Sequence, residues 1–276
     1  MNSSLGHNVM SSMKEFINYR LLKDYSAYTD RSVTLYRYSD PRFTGKYVYG
    51  SSYPSFVYNS GVAGPTVCSG VYNSGFNPKG TGLFVDYSQG RVISNSAITG
   101  TVTANVSVPN FSIFVTTYSD YKLVAETDYS TQPFNVSPTG YRNPYSYNLP
   151  AIFLRLKDTS NEEISFGGNE WTTYDIKVIA LAKSNYELTL VADAIRDLDG
   201  RNIPLLTGTP LNEYGDLKSG WNYANEISNP SSYGMIGESN FGFFENDSFA
   251  ASNPSLEVGL GNISLQIQRN PRQLFP

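Results

Sequence analysis

Two spacings of apolar residues organise this chain. Met13, Ile17, Leu21, Tyr25 and Tyr28 recur every three or four positions, which predicts a helix over 11–29 with one apolar stripe. Ser12-Met-Lys-Glu15 has the spacing of a capping box at its start. A second helix is predicted after Ser184-Asn-Tyr-Glu187, where Leu188, Val191, Ala194, Ile195 and Leu198 hold helical spacing and Gly200 stands where a C-terminal glycine belongs. Elsewhere the period is two. Ile98 to Val108 alternates apolar with Thr, Asn and Ser, the signature of a half-buried strand. Leu83–Tyr87 and Arg91–Ser94 flank Ser88-Gln-Gly90 and predict a hairpin. Extended segments are also predicted at Val33–Tyr38, at Tyr53–Tyr58 (with Pro54 favouring an edge), at Phe111–Val115 and at Ala151–Lys157. In Thr173–Ala182, Tyr174, Ile176, Val178 and Ala180 share a face. A last strand or hairpin covers 256–268, with Ile263, Leu265 and Ile267 pointing inward. Residues 130–148 read as a linker, Gly167-Gly168 as a turn, and 207–254 as a long aperiodic stretch containing the apolar run Phe241–Phe244.

Composition narrows the function classes. In 276 residues only 16% are charged and the formal net charge is −4, so binding nucleic acid through charge alone is disfavoured. There are 22 Tyr and 15 Phe, an aromatic load that must be buried or shared with neighbours. A single cysteine, Cys68, rules out an internal disulfide and reads as a small buried thiol. A single histidine, His7, stands ahead of the first predicted helix and disfavours a histidine-based triad. Asp197-Leu-Asp-Gly-Arg-Asn202 looks like the opening of a calcium loop, but position 208 is glycine where the closing carboxylate would stand. Gly259-Leu-Gly261 lacks the third glycine of a phosphate-binding loop, and no carboxylate pair stands out for glycoside hydrolysis. No catalytic, metal or cofactor residues are therefore assigned. The opening MNSSLGHNVMSSMKEF lacks the order of a secretory leader, and no run has the apolar length of a membrane span. Arg269 and Arg272 in the closing RNPRQ read as a solvated tail.

Taken in order, the first helix, the Tyr53-Pro-Ser-Phe-Val57 strand, the run TTYDIKVIALAKSNYELTLVADAIRDLDG and the final strand resemble the tail-terminator and neck proteins of tailed bacteriophages. The likeness covers roughly 11–58, 150–206 and 256–270. It implies an α+β fold, a small sheet covered by two helices, built from 1–58 and 150–276. Residues 60–145 then form an inserted β-sandwich-like domain, which simpler members lack. It further implies a non-enzymatic virion protein, assembled in the host cytoplasm as a homo-oligomeric ring, a hexamer in that family, in the neck of a contractile tail. Such a ring caps the tail tube or sheath, contacts the head connector, and lets DNA pass without specific binding; no membrane is involved. Ile176, Val178, Leu188, Val191, Ile195 and Leu198 are then the core and assembly scaffold, and Phe56, Val57, Ile263, Leu265 and Ile267 the interface strands. The alternatives are another virion β-protein (tube, baseplate or fibre-linked) and a carbohydrate-binding adhesive β-sandwich module.

Overall fold

In a computed structural model, the structure describes residues 5–58, 61–80, 82–125, 128–130, 146–164, 170–219, 221–228, 230, 232–243 and 256–269. In chain order the elements are α1 (Leu5–Asp24), β1 (Tyr28–Tyr38), β2 (Tyr47–Gly50), β3 (Gly70–Tyr72), β4 (Phe76–Pro78), β5 (Leu83–Asp86), β6 (Arg91–Ser94), β7 (Val102–Pro109), β8 (Ser112–Val115), α2 (Asp120–Ala125), β9 (Asp128–Ser130), β10 (Ser146–Asn148), β11 (Ala151–Glu163), β12 (Glu170–Ala182), α3 (Asn185–Arg196), β13 (Asn202–Pro204), α4 (Tyr223–Ser228), β14 (Tyr233–Phe243) and β15 (Glu257–Arg269).

The expected α+β fold, a small sheet covered by two helices, is corrected by this architecture. Strands hold 45% of the described residues against 21% in helices, so the protein is mainly β, built on two large curled sheets. The first runs β4-β3-β7-β1-β2-β6-β5 and the second β13-β14-β15-β12-β11-β8. The physical reason lies in the pairing of β1. Its residues Tyr28 to Leu35 pair antiparallel with β7, and Tyr36 to Tyr38 pair with β2. The strands of 28–50 thus share a sheet with those of 70–109. Conversely β8 leaves the first sheet and pairs in parallel with β11. The calls on 131–145, on Gly167-Gly168, on Phe244 and on Arg272 lie outside the described residues.

Where the alternation was clearest, it translated directly into strands. Along β7, Val102, Ala104, Val106 and Val108 are buried in the first sheet's core with Val33, Leu35, Val85 and Val92. Cys68 is buried there too. On β12, Tyr174, Ile176, Val178 and Ala180 enter the second sheet's main core with Ile152, Leu154, Ile263 and Leu265. Ile179 and Leu181 enter a smaller cluster on the opposite face, with Phe153, Leu123 and Val258. The β5–β6 hairpin forms as predicted, its turn closed by Gly90 at φ +56°.

The helices differ more. α3 begins where the sequence places it: Ser184 is the N-cap and its Oγ accepts from the Glu187 amide. In contrast, α1 starts at Leu5, so Ser12 is mid-helix and caps nothing. Its hydroxyl donates to the Asn8 carbonyl at 2.7 Å and accepts from the Leu206 amide at 2.8 Å, pinning the chain after β13 to the helix. α1 also ends at Asp24, so Tyr28 opens β1. Its buried residues are not confined to one stripe but include Val9, Phe16, Tyr19 and Leu22, because the helix lies against β8, β11, β13 and α3 rather than on the surface.

The segment 51–58 is not a strand. The Phe56 amide bonds the Tyr87 carbonyl and the Val57 amide bonds the Ser107 carbonyl, each at 2.8 Å. Phe56 is buried in the first sheet's core and Val57 in the second's, so the segment is a strap joining the two. Within the stretch read as aperiodic lies β14. Three glycines (234, 237 and 242) break its pattern. At Gly234 the packing is close: a β-carbon there would stand 2.9 Å from Leu265 Cδ1, which would have to shift.

Candidate functional site

The most distinctive surface is a ribbon made by the far ends of β11, β12 and β15. Ala151 to Leu154 are buried, whereas every residue from Leu156 to Ile164 is exposed. β12 pairs with β11 out to Glu163↔Glu170 and with β15 out to Glu170↔Arg269; along this stretch Thr172, Tyr174 and Ile267 stay buried, so the fully exposed part of the ribbon is the outer half of β11. A bulge between Leu156 and Asp158 separates the buried half of β11 from the exposed half. β8 pairs with β11 only over Ala151–Leu154, which leaves the outer edge of β11 beyond that point without a neighbouring strand among the described residues. The end of the ribbon is acidic. Glu162 and Glu163 face Trp171 and Glu170 across the ladder, and Arg269 ties Glu170 at 2.5 Å.

Two other edges, those of β5 and β14, are occupied. The amides of Val85 and Tyr87, along the outer edge of β5, bond Asp216 Oδ2 and the Gly215 carbonyl of the 208–218 loop. β14 is capped past β13 by the end of α3: Arg196 donates twice to the Phe241 carbonyl (2.8 and 3.2 Å), and the Ile236 amide bonds the Arg201 carbonyl.

A second feature is a cleft of about 500 Å³ where the two sheets meet, walled by α1 (Ser11, Lys14), the 40–46 loop (Arg42, Phe43), the β5–β6 turn and the 209–215 loop. Beneath it lies a buried ion network. Arg91 donates Nε to Asp86 (2.7 Å) and Nη1 to Asp40 (2.6 Å) and to the Tyr38 hydroxyl (3.1 Å). Arg42 grips Asp40 with two side-chain nitrogens, at 3.0 and 2.7 Å. These hydrogen bonds from Arg42, opposed by burial, hold the Asp40 carboxyl down to about 2. The 208–218 loop is locked onto this network: Asp216 takes Lys79 at 2.5 Å, and Gly215 approaches Asp86 so closely that a β-carbon would stand 2.0 Å from Oδ1. At the rim, Phe84 stacks on Tyr214 at 4.5 Å, and Lys46 lies over both rings.

On the cleft's inner wall Glu15 is buried and accepts from the Tyr58 hydroxyl. Burial pushes its carboxyl above the usual glutamate value, against the opposing pull of Lys14 and Tyr58. Burial likewise raises the Cys68 thiol, whose sulfur lies 3.4 Å from the Gly70 carbonyl.

The residues named from the sequence as scaffold are all interior. Ile176, Val178, Leu188, Val191, Ile195 and Leu198 lie in one core cluster, none more than 1% exposed. Those named as interface strands are interior as well. Ile263, Leu265 and Ile267 sit on β15, which has β12 on one side and, over most of its length, β14 on the other, so it offers no long open edge. Phe56 and Val57 belong to the strap. The open edge is instead on β11, in a polar run (Lys157–Glu163) that carries no apolar signal and is exposed at every residue. Asp197, in the calcium-like motif, accepts from the Tyr25 hydroxyl at 2.8 Å. Among the described residues no group of three or more His, Cys, Asp or Glu is placed to hold a metal, and no helix is long and apolar enough to cross a membrane. Searches against protein-family models and curated proteins find no match for this chain.

Proposed function

We propose that this chain is a non-catalytic structural protein of a tailed-phage particle, a subunit that assembles side by side with copies of itself into a ring in the neck or tail. The observation that carries the reading is the outer strand of the ribbon: β11 is exposed at every residue from Leu156 to Ile164, with no strand beside its outer edge there among the described residues. Such an edge carries a row of free backbone donors and acceptors that a neighbour's chain can complete. The cost of leaving it bare is recovered when subunits meet, and contacts of that kind, made head to tail, close into rings. The local order behind the phage resemblance supports the same reading: β12 runs through Lys183 and the Ser184 cap into α3, which lies over β12, β14 and β15. The ring, its place in the particle and the passage of DNA through it are parts of this proposal.

The test is the assembly state of the purified chain, by sedimentation and negative-stain imaging. Closed rings of uniform diameter are expected, with the ribbon at the subunit boundary. A chain that remains monomeric at every concentration, or that turns over a substrate, overturns the reading.

A further inference from the structure

The charges around the cleft between the two sheets cancel. Lys14, Arg42 and Arg91 line it together with Glu15, Asp86 and Glu213, three of each sign. Most of these groups are fixed before any ligand arrives. Arg91 is held by Asp86 at 2.7 Å and by Asp40 at 2.6 Å, and Arg42 by Asp40 at 2.7 Å. Glu15 accepts from the Tyr58 hydroxyl. Neutral polar groups stand among them. Ser88 donates to Asp86 at 2.7 Å, and the side-chain oxygen of Asn212 accepts from the Tyr214 and Asp216 amides at 2.9 and 3.1 Å. Phe43 adds a half-buried ring, with the Arg91 guanidinium 4.9 Å from its centroid. The volume, about 500 Å³, falls among those of small-molecule sites, about 300–1,000 Å³.

Such a lining selects its ligand by chemistry. An apolar molecule would strip water from the charged groups and return no hydrogen bonds. With the two signs equal, neither an anion nor a cation gains net attraction. A neutral molecule rich in hydroxyls escapes both penalties, because each hydroxyl can donate to a carboxylate and accept from a guanidinium, an ammonium or an amide. The apolar face of a sugar ring suits the Phe43 ring. We infer that the cleft is a binding site for a neutral saccharide, laid against Phe43 and hydrogen-bonded between the Arg42 side and the Glu213 side. The ion network holds the polar groups in place, so binding costs little side-chain ordering. A sugar site adds to the structural role proposed above and does not depend on it.

The test is saturation-transfer NMR on the full chain. The probes are glucose, galactose, mannose, N-acetylglucosamine and their disaccharides, with inorganic phosphate and glycine as an anion and a zwitterion. Transfer to at least one saccharide is expected at concentrations up to about 10 mM, and none to phosphate or glycine. Phe43→Ala removes the ring and Glu213→Ala an acceptor at the rim; each is expected to weaken saccharide binding roughly tenfold or more. Tyr72→Ala, exposed on β3 and outside the cleft lining, is expected to leave binding unchanged. Should Phe43→Ala lower the melting temperature, Glu213→Ala decides, because Glu213 is exposed. No transfer to any saccharide at that concentration overturns the inference. Saccharide binding that neither substitution weakens also overturns it, since the sugar then lies elsewhere. Phosphate or glycine binding that the same substitutions weaken overturns it too, by assigning the cleft to a charged ligand.

Discussion

At the scale of single residues, the consequential groups are buried polar ones whose partners come from distant parts of the chain. Glu15 has its pKa raised by burial, so the folded state binds its proton more tightly than the unfolded chain does. Its contribution to stability is therefore fully present below the unfolded glutamate value and is lost as pH rises through the raised folded value. Glu15→Gln keeps a partner for Tyr58 without a charge, and is expected to remove that decline; melting temperatures of the two proteins across pH 4 to 8 check it. Asp40 has the opposite sign. Its carboxyl is held at about 2, so its stabilisation is complete above the unfolded aspartate value and fades as pH falls toward 2. Removing Arg91 strands Asp40 and Asp86 without their buried cation, and Arg91→Ala is expected to cost about 3–5 kcal/mol in denaturant unfolding. Ser12→Ala leaves the buried Leu206 amide without its acceptor and is expected to cost about 1–3 kcal/mol.

At the scale of elements, α3 and the 208–218 loop show two ways of covering a sheet. α3 does so by apolar burial. Leu188 and Ile195 are fully buried, and replacing either with Asp is expected to abolish folding, read as loss of soluble, cooperatively melting protein. Its cap is a smaller term: Ser184→Ala is expected to cost about 1 kcal/mol. The loop covers the edge of β5 with polar groups, and Gly215 is where it comes closest. At φ +75°, and with Asp86 filling the space a β-carbon would need, Gly215→Ala is expected to destabilise by about 1–3 kcal/mol and loosen the cleft wall. The outer half of β11 stands apart from both, since every residue from Leu156 to Ile164 is exposed. A proline at Thr159 is therefore expected to leave the melting temperature nearly unchanged while reducing self-association, an outcome that separates an assembly arm from a piece of core.

At the scale of the whole molecule, the two sheets are not beads on a string. The chain passes between them at 25–27, at 109–111 and around 206–218, and the 51–58 strap places Phe56 in one core and Val57 in the other. The ion network under the cleft ties the segment at Asp40–Arg42 to β5 and β6 at this same junction.

What the amino-acid sequence determined by itself is local. Alternation of apolar and polar residues decides which face of β7 is buried, because a strand's period is two, whatever it pairs with. Helical spacing and the Ser184–Glu187 box decide where α3 begins. Such signals involve residues a few positions apart, and the chain's own geometry imposes them. Only the tertiary structure decided which strands are neighbours. That β1 pairs with β7 while β8 joins β11 depends on hydrogen bonds between segments far apart in sequence, and backbone groups are alike in every residue, so they leave no mark in composition. The same reason explains the misreading of Ser12 as a cap, when its acceptor role is toward Leu206. The open edge of β11 is invisible for the converse reason: it is defined by the strand that is not beside it.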